Sequence, residues 1–158
     1  MPYGDRRGMV EDRWGNVWQI ATYRAPQMTL RPLGRVRSAL RDRQGAPRQG
    51  REGAPDAWID FDGAFAEAMD GLEVGDEVVV ITWLHRSNRQ VLKVHPRGDL
   101  ENPLTGVFAT RSPDRPNPLG LHRVTVLALE GATVQVGPLE AIDGTPVVDI
   151  KPVLDGDD

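Results

Sequence analysis

Three prolines within six residues, Pro113, Pro116 and Pro118, constrain this chain more than any other feature. Each fixes φ near about −65° and removes a backbone donor, so the segment can be neither a helix interior nor a central strand. Asn117 precedes a proline and is pushed to an extended conformation. The segment therefore reads as a stiff loop between an apolar stretch, Val107-Phe108-Ala109, that predicts a short strand, and a second strand beginning at Gly120. A stiff loop costs little entropy to order, and this one displays Thr110, Arg111, Ser112, Asp114, Arg115 and Asn117. Rigidity combined with so many donors and acceptors favours a ligand-binding loop over a plain turn.

The rest of the chain supplies the frame. Strands are predicted over 30–38, 57–61, 77–84, 90–95, 107–110, 119–129, 133–136 and 146–150, with 77–84 the richest in β-branched residues. Phe65 and Met69 at i, i+4 predict one short helix over 64–69, and Trp58 and Trp83 are expected in the core. Residues 39–56, rich in Arg, Gly, Pro and Gln, have little to bury and read as a long mobile loop. Short strands broken by Gly, Pro and Asp turns predict a mainly β protein, an antiparallel barrel or sandwich with long loops. Asp149 and Lys151, two apart on one predicted strand, share a face and can form an ion pair.

The 158 residues suffice for one domain with a core. The absence of cysteine excludes disulfides, thiolate catalysis and cysteine zinc sites, and fits a reducing cytoplasm. No apolar run approaches the ~20 residues of a membrane span. His85, His95 and His122 lack ligand spacing, so no metal is expected. Net charge is −4, but residues 31–51 and 85–123 hold fourteen basic against four acidic residues. If these segments meet, they form a positive face suited to phosphate; otherwise the acids of residues 52–77 neutralise them.

The stretch from Gly106 to Gly120, Gly-Val-Phe-Ala-Thr-Arg-Ser-Pro-Asp-Arg-Pro-Asn-Pro-Leu-Gly, resembles the signature of the TsaA-like family, which includes the YaeB and TrmO proteins. Two further blocks stand in family order: Leu33-Gly-Arg-Val-Arg-Ser38 followed by Ala46-Pro-Arg-Gln-Gly50, and Asp143-Gly-Thr-Pro-Val-Val-Asp-Ile-Lys-Pro152. The resemblance covers about residues 30–154. It implies a single antiparallel β-barrel methyltransferase using S-adenosylmethionine, a homodimer with the cofactor near the subunit interface, and N6-methylation of threonylcarbamoyladenosine beside the tRNA anticodon. The chain ends just after the last block, where longer TrmO proteins continue into a second small domain. Methylation of another nucleoside or small metabolite therefore stays open, as does a non-catalytic nucleotide- or RNA-binding barrel.

Carried over by position, the resemblance places cofactor contacts at Pro47, Arg48 and Gln49, at His85 and Arg86, at Arg111, at Leu121, and along Leu139, Glu140, Ala141 and Asp143. Arg86 stands where TrmO enzymes often carry glutamine. The residue chemistry adds roles. Arg111 offers a guanidinium fork for a carboxylate, or a structural salt bridge. Asn117 can pair with an adenine edge through its amide, or cap the proline turn. Arg48 can close on the ligand or stay solvated. Methylating a carbamoyl-bearing nitrogen requires loss of its proton. Asp143 and His85 are the candidate acceptors, their alternatives being a turn-forming aspartate and a half-buried histidine at a strand end.

Residues 1–27 fall outside this pattern. They resemble the terminal hairpin of a glyoxalase/bleomycin-resistance (vicinal oxygen chelate) domain, too short to fold as one, and are expected to be dispensable, with Met28 an alternative start. Residues 28–154 are expected to form the methyltransferase domain, and 155–158 a frayed tail.

Overall fold

A computed structural model describes residues 7–21 and 28–154. The tail at 155–158 and the outer parts of the N-terminal segment, 1–6 and 22–27, lie outside the described residues. The chain divides into two compact units, Met1–Leu30 and Arg31–Asp158. In the first, β1 (Arg7–Glu11) and β2 (Val17–Ala21) form an antiparallel hairpin. Its turn is organised by Asp12, whose carboxylate accepts hydrogen bonds from the Trp14 and Asn16 amides at 2.9 and 3.0 Å.

The second unit contains β3 (Gly34–Arg37), β4 (Ala57–Phe61), β5 (Glu77–Trp83), β6 (Lys93–Val94), β7 (Thr105–Gly106), β8 (Leu119–Glu130), β9 (Thr133–Gly137) and β10 (Pro146–Pro152). Six of these strands close into a barrel in the order β10-β3-β4-β9-β8-β5, every pair antiparallel. The barrel follows from strict alternation. Val78 and Val80 on β5, Val124 and Val126 on β8, Val134 and Val136 on β9 and Ile59 on β4 all point inward, each at most 2% exposed. Burial of such a side chain stabilises by about 1.5–3 kcal/mol. The same inward parity continues to Thr82 on β5 and to His122 and Gly120 on β8, where Val80 pairs with His122 and Thr82 with Gly120. One end of the barrel interior is therefore polar.

Several expectations are corrected. Val107–Ala109 is a 3-10 turn, not a strand, because only Val107 is buried while Phe108 is 86% exposed. The pairing in that region is short, β6 against β7. Gly63–Met69 is a 3-10 helix rather than an α-helix; Asp62 caps it by accepting from the Ala64 amide at 3.0 Å, and Met69 packs on the core. Trp58 and Trp83 are half-buried, not core, with Arg37 and Arg89 lying 5.6 and 5.2 Å from their ring centroids. The ion pair between Lys151 and Asp149 forms at 3.1 Å.

Residues 39–56 are folded into turns and tied down at several points. Asp42 accepts from the Gln44 and Gly45 amides, and Arg41 reaches Asp143. Arg43 bonds Asp114 at 2.9 Å, and Glu52 bonds Arg97 at 3.2 Å.

Candidate functional site

The proline segment owes its shape to Arg115. Its guanidinium donates to the Ser112 and Val107 carbonyls at 2.8 and 2.9 Å and also to the Thr110 carbonyl. Thr110 adds two bonds of its own, its hydroxyl donating to the Val107 carbonyl and accepting from the Ser112 amide. Prolines restrict the backbone and one arginine ties it from inside, which narrows the shapes the loop can take. Arg111, between these tied residues, has an exposed guanidinium with no hydrogen bond or ion pair among the described residues.

Asp114 couples this loop to its neighbours. Its carboxylate accepts from Arg43 and, at 2.8 Å, from the Asn88 amide. The Arg43 hydrogen bond, reinforced by the amide, holds the Asp114 carboxyl below the usual range despite partial burial. Arg43 also donates to the Arg86 carbonyl, and Arg86 to the Arg41 carbonyl. The two basic segments thus meet, with one of the cavity's arginines paired to an acid.

Between them lies a cavity of about 330 Å³, at the lower end of the range for small-molecule sites. Its apolar wall comes from Leu84, Leu119, Leu121, Ala141 and Ile142; Arg48, Arg86 and Arg111 supply cations, and Glu140 is the sole acidic group in the lining. The floor is the polar end of the barrel. His122, 5% exposed at its side chain, places Nε2 2.8 Å from the Thr82 hydroxyl and Nδ1 2.8 Å from Glu140 Oε1. A Cβ on Gly120 would stand 2.5 Å from Thr82 Oγ1 and 2.6 Å from His122 Nε2, so only glycine fits over that pair.

His85 lines the same cavity. Partial desolvation, then the charges of Arg86 and Arg35, hold its imidazole below the usual histidine range. The neutral ring, able to accept a proton, is therefore favoured near pH 7.

Of the residues singled out from sequence, Pro47, Arg48, Gln49, His85, Arg86, Arg111, Leu121, Glu140 and Ala141 come together on this cavity. Three do not line it. Leu139 is fully buried in the barrel core, donating its amide to the Pro55 carbonyl. Asn117 is exposed outside the lining. Asp143 is spent on structure: its carboxylate accepts from the Ser38 amide at 3.0 Å and from Arg41, anchoring the start of the arginine-rich loop. The role that sequence reasoning missed is that of the Thr82–His122–Glu140 chain. The alternation of β8 carried the signal, since His122 has the parity of Val124 and Val126.

The lining suits S-adenosylmethionine. Its apolar wall matches an adenine ring, the unpaired Arg111 a carboxylate, and Glu140 an ammonium or hydroxyl donor.

Comparison with known proteins fits this donor set. The family model described as tRNA-methyltransferase O N-terminal domain matches residues 35–158. A probable S-adenosyl-L-methionine-binding protein of Methanothermobacter thermautotrophicus is 44% identical over 126 residues, covering 80% of this chain and 90% of that protein. An S-adenosyl-L-methionine-binding protein of Archaeoglobus fulgidus is 40% identical over 124 residues, covering 78% and 88%. The crystal structure of TrmO from Pseudomonas aeruginosa superposes with a TM-score of 0.67 at 28% identity over 84% of this chain. The chain spans 57% of the length of that TrmO chain.

Proposed function

Because the chain belongs to the tRNA-methyltransferase O N-terminal domain family, we propose that it is an S-adenosylmethionine-dependent methyltransferase acting on N6 of threonylcarbamoyladenosine in tRNA, as a cytoplasmic homodimer. The observation that carries this reading is the convergence of both basic segments on one cavity holding an unpaired Arg111 and a lone carboxylate, Glu140.

The cofactor, when bound, supplies an electrophilic methyl group, so the protein chiefly positions two reactants. Arg111 receives the carboxylate of its amino-acid part on a loop already rigid. Glu140 offers an anionic acceptor to a donor on the same molecule. Leu84, Leu119 and Leu121 exclude water around the adenine. A carbamoyl-bearing nitrogen is weakly nucleophilic, and His85, held in its neutral form, takes its proton as it attacks. Arg48 and Arg86 line the same cavity and are there to meet phosphate. Leu92, Leu100, Leu104 and Phe108, each more than half exposed, are the apolar surface for a second copy. Residues 1–27 are dispensable in this reading.

Isothermal titration with S-adenosylmethionine tests the cofactor; no binding removes the proposal. Mass spectrometry of tRNA nucleosides from cells with and without the gene tests the acceptor. An unchanged level of the methylated nucleoside redirects the same chemistry to another substrate.

A further inference from the structure

The inward face of β8 runs Val126, Val124, His122, Gly120, and that of β5 runs Val78, Val80, Thr82. A histidine on an otherwise valine-lined wall is costly to bury unless both ring nitrogens are satisfied. Here they are, and by different partners. Glu140 Oε1 is a carboxylate oxygen, which accepts, so Nδ1 carries the hydrogen. In the neutral ring Nε2 then accepts from the Thr82 hydroxyl, whose residue is fully buried. The chain runs in one direction, from the Thr82 O–H to the ring and from the ring to Glu140. It consumes one oxygen of the Glu140 carboxylate and leaves Oε2 with no hydrogen bond among the described residues. Gly50 packs against that side, where a Cβ would stand 3.3 Å from Oε2.

We propose that His122 is a positioning residue: by donating from Nδ1 it holds Glu140 in the cavity wall so that Oε2 is a fixed acceptor for a hydroxyl or ammonium donor of the bound cofactor. The proposal rests on the cofactor reading above and goes beyond it, because His122 acts through Glu140. Thr82 satisfies Nε2 from behind, and Gly120 leaves room for the pair.

The test separates a positioning role from a structural one. Asparagine places an amide N–H where Nδ1 stands, while glutamine places its amide where Nε2 stands. In isothermal titration of the full chain with S-adenosylmethionine, His122→Asn keeps the affinity within about threefold, whereas His122→Gln and His122→Ala lose about 10–100-fold, the scale of a hydrogen bond to a charged group. In a Glu140→Gln background, His122→Ala adds less than threefold further loss. Equal losses for the Asn and Gln variants, or a full additional loss in the Glu140→Gln background, overturn the proposal. Repeating the titrations with 5′-methylthioadenosine locates the donor: a loss that persists assigns it to the ribose hydroxyls, and a loss confined to S-adenosylmethionine assigns it to the ammonium. A readout independent of ligand is the long-range ¹⁵N–¹H spectrum of the wild-type protein. A hydrogen on His122 Nδ1 supports the proposal, and one on Nε2 alone overturns it. Wild-type protein that binds no cofactor yet shows the Nδ1 hydrogen defeats the functional reading and, with it, the proposed use of Glu140.

Discussion

The two loops that wall the cavity reach order by opposite means. The proline loop is strutted from within: Arg115 binds three of its own neighbourhood's carbonyls, and the prolines limit the backbone. The arginine-rich loop of residues 39–56 is held from without, by Asp143, Asp114 and Arg97 in other segments. The first can present Arg111 at fixed geometry before any ligand arrives. The second depends on surface ion pairs, each worth little in water, so Arg48 is displayed on the more easily opened wall. Preorganisation is thus unequal across the site.

The largest effect should come from removing the internal strut. Arg115→Ala leaves the Thr110 and Ser112 carbonyls without their donor and takes one donor from the Val107 carbonyl, and should lower stability by about 2–4 kcal/mol in urea denaturation, with cofactor affinity falling at least about tenfold. Arg115→Lys should rescue little, since all the donors of an ammonium sit on one nitrogen, whereas Arg115 reaches these carbonyls from two separate nitrogens of a planar fork. A change below about 0.5 kcal/mol would erase the distinction between the loops.

Arg111→Ala should weaken cofactor binding by ~1.5–3 kcal/mol, the scale of a charged hydrogen bond, and leave stability within about 0.5 kcal/mol. Unchanged affinity in the titration removes Arg111 from the site.

Asp114→Asn loosens the arginine-rich loop and should cost about 1 kcal/mol, discounted because Arg43 is 44% exposed at its side chain. The folded-state pKa of Asp114 is lowered from 3.8, so its contribution is present above that value and lost as pH falls through the folded one. Thermal melts of wild type and variant should therefore differ at pH 6 and converge at strongly acidic pH.

The smallest effect concerns His85. Its NMR titration midpoint should lie below 6.5, and Arg86→Gln should move it upward by removing one of the two named charges. A wild-type midpoint above 6.5 would leave His85 protonated too readily to serve as the acceptor.

Much of the barrel was legible because alternation survives wherever a strand has one wet and one dry face. The predicted 57–61, 77–84, 119–129 and 133–136 fall within a residue of β4, β5, β8 and β9. The segment 107–110 misled because Phe108 has strand propensity but faces outward, and a 3-10 turn buries Val107 alone. The site was legible where the family blocks named it, at Arg48, His85 and Arg111. Asp143 was not, since its partners, Ser38 and Arg41, are more than a hundred positions away. The inward parity of His122 was readable from β8, but its partners Thr82 and Glu140, 40 and 18 positions away, were not, as they approach it only after β5, β8 and the residues following β9 are placed around the ring.

Ring closure also governs how this domain comes apart. An open sheet sheds its outermost strand first, but a closed one has no outermost strand to shed, and freeing any member breaks two ladders together. The shortest ladder, two residue pairs between β3 and β10, is the seam at which opening would start. Amide exchange in the six strands should accordingly be released as one unit, with protection ending abruptly at the barrel's rim.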